Sequence, residues 1–402
     1  MERSLPQLPH PQRWALLVAV ALGSAGALAA GGALGWRGVG VWVLALGLGL
    51  ALSHGGFGFA AGYRGVLAGT SSRQVRAQVI AVAVVILLGQ PLVSAGGLGG
   101  LPVRGFEAEI GLELVLGAFV FGIGMQLANG CASGTLYSIG DGSGRMVIVL
   151  AAMVAGASIA ALSFPAWEGL PALPALSLPR SLGLLPAVLL QGAILAGLWW
   201  GLNQLDRWRG TKAEPLFTPM PSSAWWRGPW PQGWSALVLA LLAILVMLVA
   251  GRPWNVTQAF ALWGGWGVEA SGLDDPYFWP YWDHPLRVEL LPRAFWADIT
   301  SVMALGVMAG AFLAATSGGR WHLRWPTSFG GLASAVLGGL LTGFGGILAL
   351  GCNIGAFLAG VASGSAHGWV WLLAALPGCA VGLWLRPWFG LEPARATARH
   401  SS

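Results

Sequence analysis

Apolar runs long enough to cross a lipid bilayer recur along the whole chain and limit it to a membrane fold. Hydrophobic residues make up 56% of its 402 residues and charged residues only 9%, whereas about 25% of a soluble protein is charged. A transmembrane helix needs about 20 mostly apolar residues. Ten segments approach this length, at 14–34, 39–53, 78–96, 109–128, 146–164, 183–203, 235–250, 297–316, 329–349 and 369–386. The sequence therefore predicts an all-α integral membrane protein with about ten spans.

A glycine-flanked cysteine occurs once in each half of the chain. The first stretch, GAFVFGIGMQLANGCASG, covers 117–134, and the second, GGLLTGFGGILALGCNIG, covers 338–355. Five glycines and one cysteine coincide when the two stretches are aligned end to end, so that Cys131 matches Cys352. Two of only three cysteines therefore fall in register. This pattern is typical of a transporter built from two related halves.

The two copies are predicted to run in opposite directions through the bilayer. The first copy ends the fourth span and the second ends the ninth, and consecutive spans alternate in direction. We therefore predict two inverted repeats, in which spans two to five pair with spans seven to ten while spans one and six are additional. The predicted division places an N-terminal half at 1–203, a basic cytoplasmic linker at 204–234 and a C-terminal half at 235–402. Inverted repeats place a substrate path at the interface between the halves.

Each half also contains two apolar segments that glycine interrupts. The segments 53–69 and 251–265 are too short and too broken to span, so we predict that they are re-entrant. The other pair consists of the Gly-Cys loops at 129–144 and 350–366. Irregular backbone at membrane depth is tolerated only where protein or a water-filled cavity surrounds it. We therefore expect each half to contribute two broken elements to one central path.

The formal charge of +6 indicates membrane topology rather than nucleic-acid binding. If the amino terminus is cytoplasmic, most arginines lie on the cytoplasmic side and most acidic residues lie on the other side. This bias fits the positive-inside rule. The sequence thus predicts both termini in the cytoplasm and no nucleic-acid partner.

The helix breaks predict an anion site. A helix N-terminus offers unpaired N–H donors and about half a positive charge, and a thiol adds a soft, weak donor. The candidate substrate-binding residues come from the two Gly-Cys breaks and the two re-entrant segments, namely Gly130, Cys131, Ser133, Gly351, Cys352, Asn353, Arg64 and Arg252. The alternatives are that the glycines only pack helices and the cysteines only fill space, and that the arginines only extend to the membrane interface.

Other classes of site lack their sequence signatures. The chain has no Walker A sequence for ATP hydrolysis. It has neither a Cys-x-x-Cys pair nor a His/Cys spacing suited to zinc or haem. Acidic residues do not form a relay through the predicted spans. We therefore expect no catalytic residue, no cofactor and no metal site.

Three glycine-rich stretches carry a resemblance to a known family. They are GCASGTLYSIGDGS at 130–143, GRPWNVTQAFALWGG at 251–265 and GFGGILALGCNIGAFLAGVASGSAHGWVW at 343–371. They resemble the YeeE/YedE family of bacterial inner-membrane proteins, whose members include thiosulfate transporters. The resemblance implies an hourglass-shaped multi-pass bundle in the inner membrane, in which re-entrant halves meet near the midplane. It also implies that thiosulfate passes along cysteine thiols by hydrogen bonding, here those of Cys131 and Cys352. Family members often have a further cysteine between two phenylalanines, where this chain has Phe57-Gly58-Phe59.

The paired cysteines and the resemblance together predict an uptake transporter for thiosulfate or a related small sulfur-containing anion. A membrane thiol enzyme that handles sulfur through a cysteine persulfide is the alternative from another class. A passive small-solute pore is a third reading. Because the family also includes members associated with sulfur-carrier proteins, a cytoplasmic sulfur-carrier protein is a further candidate partner beside the lipid bilayer.

Overall fold

The computed structural model describes residues 11–211, 214–285 and 287–391, and helices dominate these ranges. In chain order the α-helices are α1 Arg13–Gly55, α2 Phe59–Leu67, α3 Arg73–Ser94, α4 Leu112–Ala128, α5 Ala132–Gly140, α6 Gly144–Leu162, α7 Leu178–Leu182, α8 Leu184–Trp208, α9 Ala224–Arg227, α10 Gln232–Ala250, α11 Thr257–Ser271, α12 Ile299–Ser317, α13 Phe329–Leu348, α14 Ala359–Ala362 and α15 Ala366–Leu385. A π-helical turn, Asn353–Leu358, precedes α14, and 3-10 turns cover Phe164–Ala166, Pro276–Phe278, Phe295–Ala297 and Arg386–Phe389. Four two-residue strands pair antiparallel, β1 Gly97–Leu98 with β2 Leu101–Pro102 and β3 Ile110–Gly111 with β4 Ala172–Leu173. The prediction of an all-α membrane protein is confirmed.

Within the described ranges, nine helical stretches are long and apolar enough to cross a membrane. The first of them contains two predicted spans, because its backbone leaves the helical conformation at Gly35 (φ 62°, ψ −150°). Trp42 Nε1 donates a hydrogen bond to the carbonyl oxygen of Gly23 at 2.8 Å, although a continuous helix would separate these two residues by about 28 Å. α1 is therefore a helical hairpin with arms at 13–34 and 36–55. The prediction of about ten spans is confirmed.

The helices that carry the repeated cysteine motif cross in opposite directions. A Cβ atom on Gly117, near the start of α4, would lie 2.6 Å from the backbone nitrogen of Ala349, just past the end of α13. A Cβ atom on Gly338, in the middle of α13, would lie 2.3 Å from the backbone nitrogen of Ala128, at the end of α4. The two backbones touch because both positions are glycine. α4 and α13 are therefore antiparallel, and each ends inside the bundle, as expected for inverted repeats.

Two glycines at equivalent positions of the repeat create the next pair of close crossings. A Cβ atom on Gly122 of α4 would lie 2.2 Å from the carbonyl oxygen of Ala375 in α15. A Cβ atom on Gly343 of α13 would lie 2.0 Å from the carbonyl oxygen of Met153 in α6. Each half thus packs its Gly-Cys helix against the long helix that follows the break in the other half.

The helices that precede α4 and α13 also pack against helices of the other half. The second arm of α1 lies against α12, where a Cβ atom on Gly49 would be 2.0 Å from the carbonyl oxygen of Val307. Its counterpart α10 lies against α3, while α2 contacts α15 and α11 contacts α6. Every one of these pairs joins the two predicted halves. The division of the chain at 204–234 itself stays a prediction.

One face of the bundle, here called the N-terminal face, holds the start of α1 and the connection between α8 and α10. Gln12 donates its backbone N–H to the carbonyl oxygen of Thr316, at the end of α12, at 3.1 Å. The Ser317 hydroxyl donates to the carbonyl oxygen of Trp226 at 2.8 Å. The start of α3, the start of α6 and the end of α15 lie on this face as well. The opposite face carries the connections 95–111, 163–183, 251–256 and 272–298.

The additional helix α8 is fixed to the bundle by a buried polar cluster. The Ser72 hydroxyl donates to Asp206 Oδ2 at 2.5 Å, and Arg76 Nη2 lies 3.9 Å from the same oxygen. Both charged side chains are almost fully buried, and a buried ion pair of this kind is strongly destabilising to break on one side only. The cluster therefore ties α8 to α3 at the N-terminal face.

Candidate functional site

The sequence repeat is also a repeat of unusual backbone conformation. Among the described residues, two that are not glycine have a positive φ, Asn129 at 66° and Leu350 at 62°. They occupy equivalent positions, since each lies two residues before the repeated cysteine of its own half. This left-handed conformation ends α4 and α13, and a few residues later each chain starts a new short helix. α4 and α13 thus both end at the same position of the repeated motif.

Each repeated cysteine occupies the residue before that new helix. Cys131 is the N-cap of α5 and Cys352 is the N-cap of the π-helical turn, both with extended backbone. Cys352 Sγ accepts the backbone N–H of Ile354 at 3.4 Å, while Cys131 Sγ lies 3.5 Å from the Ser133 hydroxyl oxygen. A group at this position faces the unpaired N–H donors of a helix start. Both sulfur atoms therefore lie at the N-terminal start of a helical turn.

Both thiols lie inside the bundle although they belong to opposite halves of the chain. Cys131 is 1% exposed and Cys352 is 0% exposed. All three cysteines of the chain are free. The equivalent positions of Cys131 and Cys352, each buried at a helix start, are the central geometric feature of the site.

Polar atoms without partners surround the two cysteines. Asn353 donates from Nδ2 to Met125 Sδ at 3.4 Å, but its Oδ1 is buried and has no partner among the described residues. The hydroxyl groups of Thr135 and Tyr63 are buried without a partner there as well. An unsatisfied buried polar group costs about 1–3 kcal/mol. These atoms are therefore suited to a polar species that enters the site.

A glycine precedes each repeated cysteine, Gly130 before Cys131 and Gly351 before Cys352. Gly351 has a φ of 149°, and a Cβ atom on it would lie 2.7 Å from the backbone nitrogen of Ala356. A Cβ atom on Gly130 would lie 3.5 Å from the Thr135 hydroxyl oxygen, an ordinary contact. The second break therefore requires glycine more strictly than the first.

The two candidate arginines lie at opposite faces. Arg64, in α2, donates to Asn129 Oδ1 at 2.5 Å beside the first break. Arg252 lies in the connection before α11, next to Gly251, whose carbonyl oxygen accepts the backbone N–H of Arg104 at 2.9 Å. The structure thus brings Arg64 to the site at the N-terminal face and keeps Arg252 at the opposite face.

Asp141 fixes the end of α5 at the N-terminal face. Its Oδ1 accepts the hydroxyl of Ser53, in the second arm of α1, at 2.5 Å. Burial raises the pKa of the Asp141 carboxyl, while the hydrogen bond from Ser53 and the charges of Arg320 and Arg324 oppose that rise. The broken element that begins with Cys131 is therefore held at both ends.

Two further arginines beside Arg64 were missed by the sequence analysis. Arg145, at the start of α6, and Arg386, just past α15, reach the last carbonyl oxygens of α4. Neither lies in a glycine-rich motif, and neither has an arginine at the equivalent position of the repeat. Their position at helix ends was the only available signal, and many arginines of this chain share it.

The described residues contain no group of three or more His, Cys, Asp or Glu side chains that could hold a metal ion. The donors at the site are thiols, hydroxyls, amides, backbone N–H groups and guanidinium groups. Such a set can replace the hydration shell of a small anion. This arrangement favours binding and passage of an anion.

Comparison with known protein families gives a match over most of the chain. The model of a family described as "Sulphur transport" matches residues 54–381. That range includes both Gly-Cys breaks and nearly all of the two segments predicted to be re-entrant. The structural repeat therefore lies inside the matched region.

Relatives with descriptive names differ in how much of the chain they match. The probable transporter YedE of Salmonella typhimurium is 32% identical over 41% of this chain and 39% of its own length. The chain thus matches about two fifths of this relative. The thiosulfate transporter TsuA of Escherichia coli is 26% identical over 84% of this chain and 90% of its own length. TsuA of Spirochaeta thermophila is 28% identical over 64% of this chain and 72% of its own length.

Proposed function

Because the chain belongs to the sulphur transport family, we propose that it takes up thiosulfate or a related small sulfur-containing anion across the bacterial inner membrane. The observation that carries this proposal is the equivalent placement of Cys131 and Cys352, two buried free thiols at the helix starts of two inverted motifs. The relatives named as thiosulfate transporters support the choice of anion. Uptake, on this proposal, follows a central path between the halves.

The physical problem that such a path solves is desolvation. An isolated ion loses tens of kcal/mol of hydration energy in a hydrocarbon medium. Thiols, backbone N–H groups and the polar side chains of Ser133 and Asn353 supply donors to replace that hydration. Because a thiol is a weaker donor than an ammonium or guanidinium group, it holds the anion loosely enough for it to move on. The polarisable sulfur of each cysteine also suits the outer sulfur of thiosulfate.

We also propose an orientation for the protein in the membrane. The arginines at the N-terminal face include Arg76, Arg145, Arg209, Arg320 and Arg386, whereas the opposite face carries the acidic residues Glu107, Glu109, Glu168, Asp274 and Asp275. By the positive-inside rule the N-terminal face is cytoplasmic. Both termini then lie in the cytoplasm, and a cytoplasmic sulfur-carrier protein would dock on the connection at 204–234.

Transport is favoured over a thiol enzyme by the surroundings of the two sulfur atoms. Their hydrogen-bonding partners in the described part of the chain are Ser133 and the N–H of Ile354. Neither is a base that would activate a nucleophilic thiol. We expect both cysteines to keep their unmodified mass during uptake. A turnover-dependent addition of sulfur to Cys131 or Cys352 would instead establish the persulfide enzyme.

Uptake of radiolabelled thiosulfate into proteoliposomes tests the proposed function directly. We expect saturable uptake that excess unlabelled thiosulfate suppresses and excess sulfate does not, because sulfate lacks the outer sulfur atom. Sulfite and selenite serve as further competitors. Well-folded protein that takes up no thiosulfate would contradict the proposal, and non-saturable flux of all these solutes would indicate a passive pore.

Replacing Gly58 by cysteine should raise thiosulfate uptake several-fold. The position has ordinary extended backbone (φ −136°, ψ 124°), and a Cβ atom there would lie 3.7 Å from Ala61 Cβ and 3.8 Å from the Tyr137 hydroxyl oxygen. A Cβ atom therefore fits without displacement. A thiol would add one donor near the α5 helix that Cys131 starts. Initial rates in proteoliposomes measure the effect.

Gly58→Ala is the matched control, because it adds the Cβ atom without a thiol. Its uptake should equal that of the unaltered protein. An equal rise in both variants would attribute the effect to backbone stiffening and contradict a thiol contribution. Unchanged uptake in Gly58→Cys would show that two thiols suffice.

A further inference from the structure

Two arginines reach the carbonyl oxygens that end α4. Arg386 Nη1 donates to the carbonyl oxygen of Gln126 at 2.7 Å. Arg145 Nη2 donates to the carbonyl oxygen of Leu127 at 2.9 Å, and its Nη1 donates to that of Ala128. The last carbonyls of a helix carry partial negative charge and attract cations. These hydrogen bonds explain why the guanidinium groups of Arg145 and Arg386 point toward the end of α4.

A third guanidinium group completes the cluster, which we call the α4-end cluster: Arg64, Arg145 and Arg386. Arg64 and Arg386 share one acceptor, since both donate to Asn129 Oδ1, at 2.5 and 3.5 Å. Each of the two therefore keeps N–H donors without a protein partner among the described residues. Arg386 is 8% exposed, and its Nε is buried without a partner. Arg64 is more exposed and opens the cluster to solvent.

Among the described residues, no carboxylate forms an ion pair with the α4-end cluster. The ion pairs of the described ranges involve Arg73, Arg76, Arg180 and Arg293 and leave the cluster out. Three positive charges thus face about half a negative charge from the helix end. Uncompensated charge on largely buried side chains is expensive. The missing negative charge is best supplied by an anion.

The second copy of the motif shows that helix termination alone does not require this charge. In the alignment that matches Cys131 with Cys352, Asn129 corresponds to Leu350, Arg145 to Ala366 and Arg386 to Pro165. α13 ends before Leu350, which has the same left-handed conformation as Asn129. Within the described part of the chain, no arginine side chain donates a hydrogen bond to the last turn of α13. The cluster therefore belongs to one of the two equivalent helix breaks and is not part of the repeat.

We propose that the α4-end cluster binds a small tetrahedral oxyanion at the N-terminal face, beside the break that leads into Cys131. The planar guanidinium groups of Arg64 and Arg386 match the oxygens of such an anion, and Arg145 adds charge. The ligand is either the transported sulfur oxyanion, a reading that rests on the proposed function, or the phosphate of an anionic lipid. Both share the chemistry of a singly or doubly charged tetrahedral group.

Binding of radiolabelled thiosulfate and sulfate to delipidated protein in detergent tests this site without requiring transport. We expect Arg386→Gln and Arg64→Gln to weaken binding about tenfold or more, as loss of a charge-assisted hydrogen bond does. Arg73→Gln is the matched control, since Arg73 lies at the same face but is paired with Glu214 at 2.6 Å. The affinity of Arg73→Gln should lie within about twofold of that of the unaltered protein. A tenfold loss of affinity corresponds to about 1.4 kcal/mol of binding free energy. Equal affinity in all four proteins would overturn the proposal.

A second arm separates the two sources of the oxyanion. If neither thiosulfate nor sulfate binds, phosphatidylglycerol that co-purifies with the protein is measured as bound phosphorus. Loss of this lipid in Arg386→Gln but not in Arg73→Gln would support the site and assign it to lipid. Arg386→Lys keeps the positive charge and serves as the test if the glutamine variant misfolds. If the folded lysine variant binds as tightly as the unaltered protein, the charge of Arg386, and not its guanidinium geometry, is what binds the anion. Thiosulfate uptake by the unaltered protein is measured separately, so that failure of transport and failure of the cluster are distinguishable.

Discussion

Replacing Cys352 by alanine should lower thiosulfate uptake about ten- to hundredfold, because the anion loses one donor at a buried point of its path. A hydrogen bond to a charged group is worth about 1.5–3 kcal/mol, which corresponds to this range of rates or affinities. Cys131→Ala should have an effect of similar size, since the two residues are equivalent in the repeat. Initial uptake rates in proteoliposomes, normalised to folded protein, provide the measurement.

Cys379→Ala is the matched control for the thiol variants. Cys379 is also free and fully buried, but it packs where α15 meets α4, with its backbone nitrogen 2.9 Å from a Cβ atom placed on Gly122. Its replacement should leave uptake unchanged and cost only a small amount of stability. If Cys131→Ala and Cys352→Ala transported at the unaltered rate, a thiol-lined path would be wrong even in a functional transporter.

Adding a single methyl group at Gly122 or Gly343 should destabilise the folded protein by about 1–3 kcal/mol or more, the usual cost of overpacking. A Cβ atom on either residue would overlap a carbonyl oxygen of the crossing helix, at 2.2 and 2.0 Å. Backbone atoms cannot rotate away, so the helices must separate. Because the two crossings are equivalent, both alanine variants should melt at similar, lowered temperatures in detergent.

Gly192→Ala in α8 makes the same chemical change without the clash. No atom lies within 4 Å of a Cβ atom placed there, and alanine is favoured over glycine in a helix by about 1 kcal/mol. This variant should melt at or above the temperature of the unaltered protein. A melting temperature of Gly122→Ala equal to that of Gly192→Ala would contradict the close crossing of α4 and α15.

The sequence was informative where two copies of a pattern could be compared. The alignment that matches Cys131 with Cys352 also matches the left-handed residues Asn129 and Leu350, the short helices and the crossing glycines. Repetition made these features visible because chance rarely reproduces several spacings at once. The fold class and the count of spans followed from length and hydropathy alone.

The parts that could not be predicted depend on single residues brought together by tertiary packing. Arg145 and Arg386 are far apart in the chain, and nothing in their neighbourhoods distinguishes them from interfacial arginines. The reversal between the first two spans was predicted, but Gly35 could not be singled out as the residue that makes it, because many glycines of this chain continue their helices. The π-helical turn after Cys352 is a local change of hydrogen-bonding register that apolar periodicity does not encode.

The exchange of helices between the halves has a consequence for how the protein is made. α4 rests on α15, and α13 rests on α6, so the first half cannot complete its own packing from its own residues. During synthesis Gly117 of α4 can be covered once α13 is made, but we expect Gly122 to stay exposed to lipid until α15 leaves the ribosome. We therefore expect truncation of the chain before α15 to leave the first half inserted without this contact.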